Sequence, residues 1–177
     1  MNRRNMFSLS VITALGLALL PGSAVSQQKS LKDQLVGIWT LASWERVNPD
    51  GSKLQGFGAN PKGISVFDAS GRFALIINRA DLPKLASNDR AKGTADENKA
   101  VVQGSIAYFG TYSVDEAAKT INLKLESSSF ANQLGMATHK RVITSLTADE
   151  LKYANPTATA GGQIHQVWKR APTVATN

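Results

Sequence analysis

The sequence contains no cysteine. That absence excludes a disulfide framework, a thiolate metal site, a cysteine nucleophile, a redox pair and lipid attachment through cysteine. Histidine is almost as scarce. His139 and His165 are the only two in 177 residues, and they lie in no ligand-spaced cluster, so no metal site is expected. There is no Gly-x-Ser-x-Gly elbow, no phosphate-binding P-loop and no dinucleotide fingerprint. The easily recognised hydrolases, kinases and dehydrogenases drop out with them, and no cofactor is expected. Long runs of one charge are also missing. The net charge is +7, but Lys and Arg are interleaved with acids, as in Asp89-Arg90, Asp96-Glu97-Asn98-Lys99 and Asp149-Glu150-Leu151-Lys152. Nucleic-acid binding wants a basic stripe with exposed aromatics beside it, so no nucleic-acid partner is expected.

What is present begins with a leader. Arg3 and Arg4 precede an uncharged, mostly apolar run from Met6 to Leu20, then Pro21-Gly22, then the small-residue exit Ala24-Val25-Ser26. This order is that of a secretory signal peptide, cleaved after Ser26. The apolar run falls short of the roughly 20 residues a span needs, and Ser8, Ser10 and Thr13 dilute it, so no lasting membrane anchor is expected. Arg3-Arg4 also resembles a twin-arginine signal, but paired arginines are common in such leaders and a Sec-type signal is preferred. The expected division is therefore a signal peptide over 1–26 and one domain over 27–177, in a periplasmic or secreted protein. Removing the leader takes two positive charges with it. Composition sets no oligomeric state.

The chain is 42% hydrophobic and 19% charged over all 177 residues, enough for one core and too ordinary for disorder. Its punctuation is that of a β protein. Asn48-Pro49-Asp50-Gly51 has the Pro and Gly of a type I turn, and Asp68-Ala69-Ser70-Gly71 the Asp and Gly of a short hairpin connection. Strand-forming runs lie at 37–47, 64–67, 72–78, 106–114, 120–127, 140–146, 150–154 and 163–170, with a weaker one at 52–55. Sequential strands and short turns argue for an antiparallel meander that closes or stacks. Thr120-Ile121-Asn122-Leu123-Lys124-Leu125-Glu126 alternates strictly, giving one buried and one wet face. The run from Arg72 to Asn78 is apolar on both faces, so an outer cover is expected from 79–104. Within that segment Thr94-Ala95-Asp96-Glu97 is a capping-box pattern and Gly104 a helix stop, while Pro83 is placed to open a second, shorter helical turn.

Leu35-Val36-Gly37-Ile38-Trp39-Thr40-Leu41 places Gly-x-Trp directly after a short helical lead at 30–34. Ser43-Trp44-Glu45, Gly58-Ala59-Asn60-Pro61-Lys62-Gly63, Asp68-Ala69-Ser70-Gly71-Arg72, Ala107-Tyr108-Phe109-Gly110-Thr111-Tyr112-Ser113-Val114 and Val167-Trp168-Lys169-Arg170 follow in order. Together these resemble the bacterial and fungal lipocalin-like domain family over nearly all of the chain past the leader. One departure is Ala131-Asn132, where Pro-Asn is expected ahead of the glycine that is Gly135 here. The resemblance implies an all-β, antiparallel up-and-down barrel with a short helical insertion between middle strands, able to enclose one small ligand. It also implies that Trp39 plugs the closed end, with Arg170 laid over its indole.

If Trp39 points inward, period-two alternation sends Leu41, Ser43 and Glu45 inward and Trp44 and Arg46 outward, with Trp44 beneath the helical segment. Glu45 is then either a cavity carboxylate needing a cation or a solvated rim residue. Tyr108 and Tyr112 share a face across Gly110, and either line a pocket or pack outside against the helix. Arg72 and Arg141 begin strands, where a rim position is commoner than a cavity cation. Leu41, Ser43, Glu45, Phe73, Tyr108, Tyr112 and Arg141 are therefore the cavity candidates, with Trp39 and Arg170 as the structural plug. The expected function is non-catalytic binding of a small hydrophobic or amphipathic molecule in the barrel. The alternative is a cofactor-free isomerase or cyclase using Glu45 or a cavity tyrosine as acid or base.

Overall fold

The computed structural model describes residues 29–136, 139–156 and 161–172. The leader over 1–26 and the last five residues of the chain lie outside them. Two short helices, α1 (Leu31–Leu35) and α2 (Ala95–Gly104), accompany nine strands. These are β1 (Gly37–Val47), β2 (Lys53–Leu54), β3 (Lys62–Phe67), β4 (Arg72–Asn78), β5 (Ser105–Asp115), β6 (Thr120–Ser128), β7 (His139–Leu146), β8 (Glu150–Asn155) and β9 (Gln163–Arg170). All pairings are antiparallel. Neighbours follow chain order from β3 to β9, β1 lies between β3 and β9, and β2 adds to β1 at its edge. The β1–β9 pairing, from Trp39↔Arg170 to Val47↔Gln163, closes an eight-stranded barrel and leaves β2 outside it. Closure removes the open edges through which strands pair with other chains.

The turns form for the reasons their residues suggest. Gly51 N–H donates to the Asn48 carbonyl at 2.9 Å and Gly71 N–H to the Asp68 carbonyl at 3.1 Å. Both glycines have φ in the left-handed region, +81° and +93°. Alternation decides which face is core: on β4, Phe73, Leu75 and Ile77 are buried while their neighbours Arg72, Ala74 and Ile76 are exposed.

The outer cover expected over β4 is absent, since Ile76 is 46% exposed. The physical reason is how the insertion is tied. Arg79 N–H donates to the Gly104 carbonyl at 2.8 Å, and Ser105 Oγ–H to the Val101 carbonyl at 2.6 Å. These bonds hold 79–104 at the ends of β4 and β5 rather than against their outer face. Pro83 opens no helical turn; the 3₁₀ turn of this segment is Arg90–Lys92. The capping box at α2 is present. Glu97 N–H donates to Thr94 Oγ1 at 3.3 Å, and Thr94 N–H donates back to Glu97 Oε2 at 2.8 Å. Glu97 Oε1 also accepts the Ala86 N–H at 2.8 Å, tying the preceding loop to the helix.

Thr94→Ala should therefore cost about 1 kcal/mol locally. Amide hydrogen exchange over 95–98 checks it, and unchanged protection there would contradict it. The bonds from Ala86 N–H and then Thr94 N–H hold the Glu97 carboxyl below its ordinary value. For a lowered carboxyl the stabilisation is present above the ordinary pKa and lost as pH falls through the lowered one. Acid should loosen this loop by that route.

Candidate functional site

The barrel is sealed at one end from its own sequence. Trp39 is fully buried, and its Nε1–H donates to the Leu35 carbonyl at 2.8 Å. The Arg170 guanidinium lies over the indole, 4.1 Å from the ring centroid. Arg170 also donates to the Val36 carbonyl at 3.0 Å, to the Gln34 carbonyl at 2.7 Å and to the Ala148 carbonyl. One side chain thus ties α1, β1, β9 and the β7–β8 turn. Gly37 makes room for it: φ is +136°, and a Cβ there would sit 2.7 Å from Arg170 Nη1.

Beyond Leu41, β1 departs from simple alternation. Leu41 pairs with Trp168 but Ser43 pairs with Val167, so one extra residue is inserted between them. A bulge of this kind turns every later side chain to the other face. Ser43 and Glu45 therefore lie on the outside of the barrel, not inside. Ser43 is exposed, and Glu45 meets Lys53 Nζ at 3.0 Å with both side chains partly in solvent. Trp44 and Arg46 instead take the inner face, opposite Gln166 and Ile164. Trp44 packs edge-on against Phe57 at 5.2 Å rather than beneath α2.

Five other candidates do face inward. Leu41 and Phe73 are buried apolar wall. Tyr112 is buried low in the barrel, 5.1 Å from the Phe67 ring, and its hydroxyl donates to the Asp68 carbonyl at 2.8 Å. It is committed to the closed end. Tyr108 and Arg141 come together: Arg141 Nη2–H donates to the Tyr108 hydroxyl at 3.3 Å, and Nη1–H to the Lys140 carbonyl at 3.0 Å. Arg141 is 5% exposed, so the rarer placement is the real one. Arg72 is an outer-face residue, forked onto Glu126 by two 2.9 Å bonds.

Around Arg141 and Tyr108 stand groups that sequence reasoning missed. Tyr153 is buried and donates to Gln166 Oε1 at 3.0 Å. Burial, with the Tyr108 oxygen next, pushes its phenol well above the ordinary range despite the opposing pull of Arg141. Tyr153 is therefore a neutral donor at any physiological pH. Burial works against the charge of Arg141, the Tyr108 and Tyr153 oxygens favour it, and the guanidinium stays protonated. His139 is buried with Nε2 3.0 Å from the Gln133 carbonyl, so that nitrogen carries the proton. Arg141 Nε and Trp168 Nε1 are buried and without a hydrogen-bond partner. Tyr153 and Gln166 were legible by counting in twos from Leu151 and Trp168.

The inner face also changes along its length. Leu41, Leu123, Tyr108, Tyr153 and Gln166 are buried, whereas Trp44, Leu125, Ile106, Asn155 and Ile164, further along the same strands and toward the same end, are half-buried. The barrel is a cup, with solvent reaching its wide end, donors at mid-depth and an indole at its base.

Three clefts lie outside this interior. The largest of them, about 630 Å³, is at the closed end between α1 and the β7–β8 turn, against the Arg170 guanidinium already committed to three carbonyls. A second, about 440 Å³, lies by Asn48 and Gly162. The third, about 190 Å³, brings Ser43, Glu45 and His165 together on the outer wall. Glu45 is there neutralised by Lys53 and separated from Tyr108 and Tyr112 by the barrel wall. The acid–base pair considered for an isomerase is not assembled. Among the described residues no group of three or more His, Cys, Asp or Glu is placed to hold a metal ion.

Residues 36–171 match the lipocalin-like domain family. No curated protein matches the chain. Among solved structures the chain is similar to a lipocalin-like protein from Bacteroides uniformis ATCC 8492, with TM-score 0.43 and 14% identity over 78% of this chain and 99% of that one. It is also similar to a redesigned β-barrel, with TM-score 0.42 and 13% identity over 83% of this chain and 100% of that one. A de novo designed fluorescence-activating β-barrel gives TM-score 0.41 and 11% identity over 81% and 99% of the two chains.

Proposed function

The chain belongs to the lipocalin-like domain family, and from that premise we propose that it is an exported protein whose barrel binds a small hydrophobic or amphipathic molecule. The observation that carries the reading is the graded interior. Its inner face runs from buried to half-buried toward one end, around buried donors that lack protein partners. Apolar walls with a few convergent polar groups are what small-molecule sites are made of. The tripartite leader supports action outside the cytoplasm. Intact-mass measurement of the protein from its producing cell tests export, and a mass retaining Met1 to Leu20 contradicts it.

Binding is tested with a neutral probe, so that charge plays no part. N-phenyl-1-naphthylamine has about 17 heavy atoms; at about 0.3 kcal/mol per atom it gains roughly 5 kcal/mol, a dissociation constant on the order of 100 μM. Fluorescence titration should saturate in that range and change little with salt, because apolar contact is not screened. Ile106→Trp, which narrows the half-buried level of the interior, should weaken binding about tenfold or more. Absence of saturation up to about a millimolar, or affinity untouched by that substitution, contradicts the reading.

A further inference from the structure

At mid-depth the barrel interior holds a buried cation, Arg141, with no buried anion among the described residues. Arg141 is 5% exposed, and no Asp or Glu is among the buried residues described. Every ion pair found among the described residues is at the surface, and none includes Arg141. Its hydrogen-bond acceptors are the Tyr108 hydroxyl and its neighbour's carbonyl, and Nε has none. A guanidinium cannot discharge itself by losing a proton, so its burial costs free energy that neutral acceptors only partly offset.

The surrounding groups are wrong for stability and right for an anion. Trp168 Nε1–H and Arg141 Nε–H are buried donors without acceptors. Arg141, Tyr153 and Trp168 stand on the adjacent strands β7, β8 and β9, on one side of the barrel, and both donors oppose, without overcoming, the rise that burial imposes on the Tyr153 phenol. The Tyr108 hydroxyl, which accepts from Arg141, still has its own proton to give. The acceptors nearby are two phenol oxygens and Gln166 Oε1, the last already taken by Tyr153. Donors outnumber acceptors, and native interiors rarely leave such groups unsatisfied.

Resting on the barrel-binding reading above, we propose that the ligand is an amphipathic monoanion whose carboxylate is held by Arg141, with Tyr108 and Trp168 as supporting donors. The buried Arg141 guanidinium balances one negative charge, and its planar fork matches a carboxylate bidentately. The apolar tail lies toward the half-buried end, along Ile106, Leu125 and Trp44. Arg141 is thus retained for recognition.

The test is calorimetric titration of the intact protein with dodecanoate, 1-dodecanol and dodecylamine, each below its micellar concentration or its solubility limit. Dodecanoate is expected to bind about ten- to a hundredfold tighter than dodecanol, as charge-assisted hydrogen bonds allow, with dodecylamine the weakest. In Arg141→Met the preference should vanish while dodecanol affinity stays within about twofold, and the thermal midpoint of the ligand-free protein should hold or rise. Should Arg141→Met not fold, Arg141→Lys keeps the charge but loses the fork, and should lower dodecanoate affinity selectively. Equal binding of dodecanoate and dodecanol to the wild type overturns the carboxylate assignment and leaves barrel binding standing. Failure of all three to bind removes the barrel-binding reading itself. A falling midpoint with the carboxylate preference intact makes Arg141 structural and overturns the inference.

Discussion

Trp39→Ala should lower the free energy of unfolding by about 3–5 kcal/mol, the range for truncating a buried large aromatic. Three losses act together. The indole is fully buried, so its removal exposes or empties the base of the cup. The Leu35 carbonyl, at the end of α1, loses the Trp39 Nε1–H that donates to it at 2.8 Å. The Arg170 guanidinium loses the ring 4.1 Å below it, a contact worth roughly 0.5–2 kcal/mol, though its bonds to three carbonyls remain. The denaturant midpoint should fall sharply with the slope of the transition unchanged. Trp44→Ala is the control: that ring is half-buried at the wide end and should cost much less. An unaltered midpoint in Trp39→Ala would mean that the plug does not hold the barrel shut.

Gly110→Ala should cost about 3 kcal/mol by overpacking, although it adds a single methyl group. A Cβ at this position would lie 2.0 Å from the Lys124 carbonyl oxygen and 3.0 Å from Glu126 N. Both are backbone atoms of β6 beside the register shift between Phe109 and Gly110, so neither can turn aside as a side-chain tip would. The two strands must separate where β5 carries Tyr108 and Tyr112 into the interior. Gly135→Ala is the comparison, since nothing lies within 4 Å of a Cβ there and only its positive φ resists. Thermal unfolding of the two variants separates the cases, and equal midpoints would contradict this packing of β5 on β6.

Strand order, hairpin turns and the capping box were legible because each rests on a local signal of few residues. Asp68-Ala69-Ser70-Gly71 and Thr94-Ala95-Asp96-Glu97 specify their own hydrogen bonds, whatever surrounds them. The candidate site was legible only as far as alternation runs without interruption. Ile143 pointing inward puts Arg141 inward as well, against the ordinary preference of arginine for a rim. The bulge after Leu41 has no comparable signature. Ala42 is an unremarkable strand residue, yet the insertion there reverses Ser43, Trp44, Glu45 and Arg46 at once. The missing cover over β4 has a similar origin. An apolar outer face says that something would be favourable there, while the length and tethering of the connection decide what arrives.

The most direct measurement is on the tryptophan indoles, because the three side chains occupy three levels of the cup. The protein is labelled with nitrogen-15 in the indole, and dodecanoate is added in steps. The Trp168 Nε1–H has no partner in the ligand-free barrel and Trp44 lies half-buried at the wide end, so both signals should move and saturate together. The Trp39 signal, already bonded to Leu35 beneath the site, should stay where it is. Three unmoved signals at saturating dodecanoate, or a shift confined to Trp39, would contradict a ligand in the barrel.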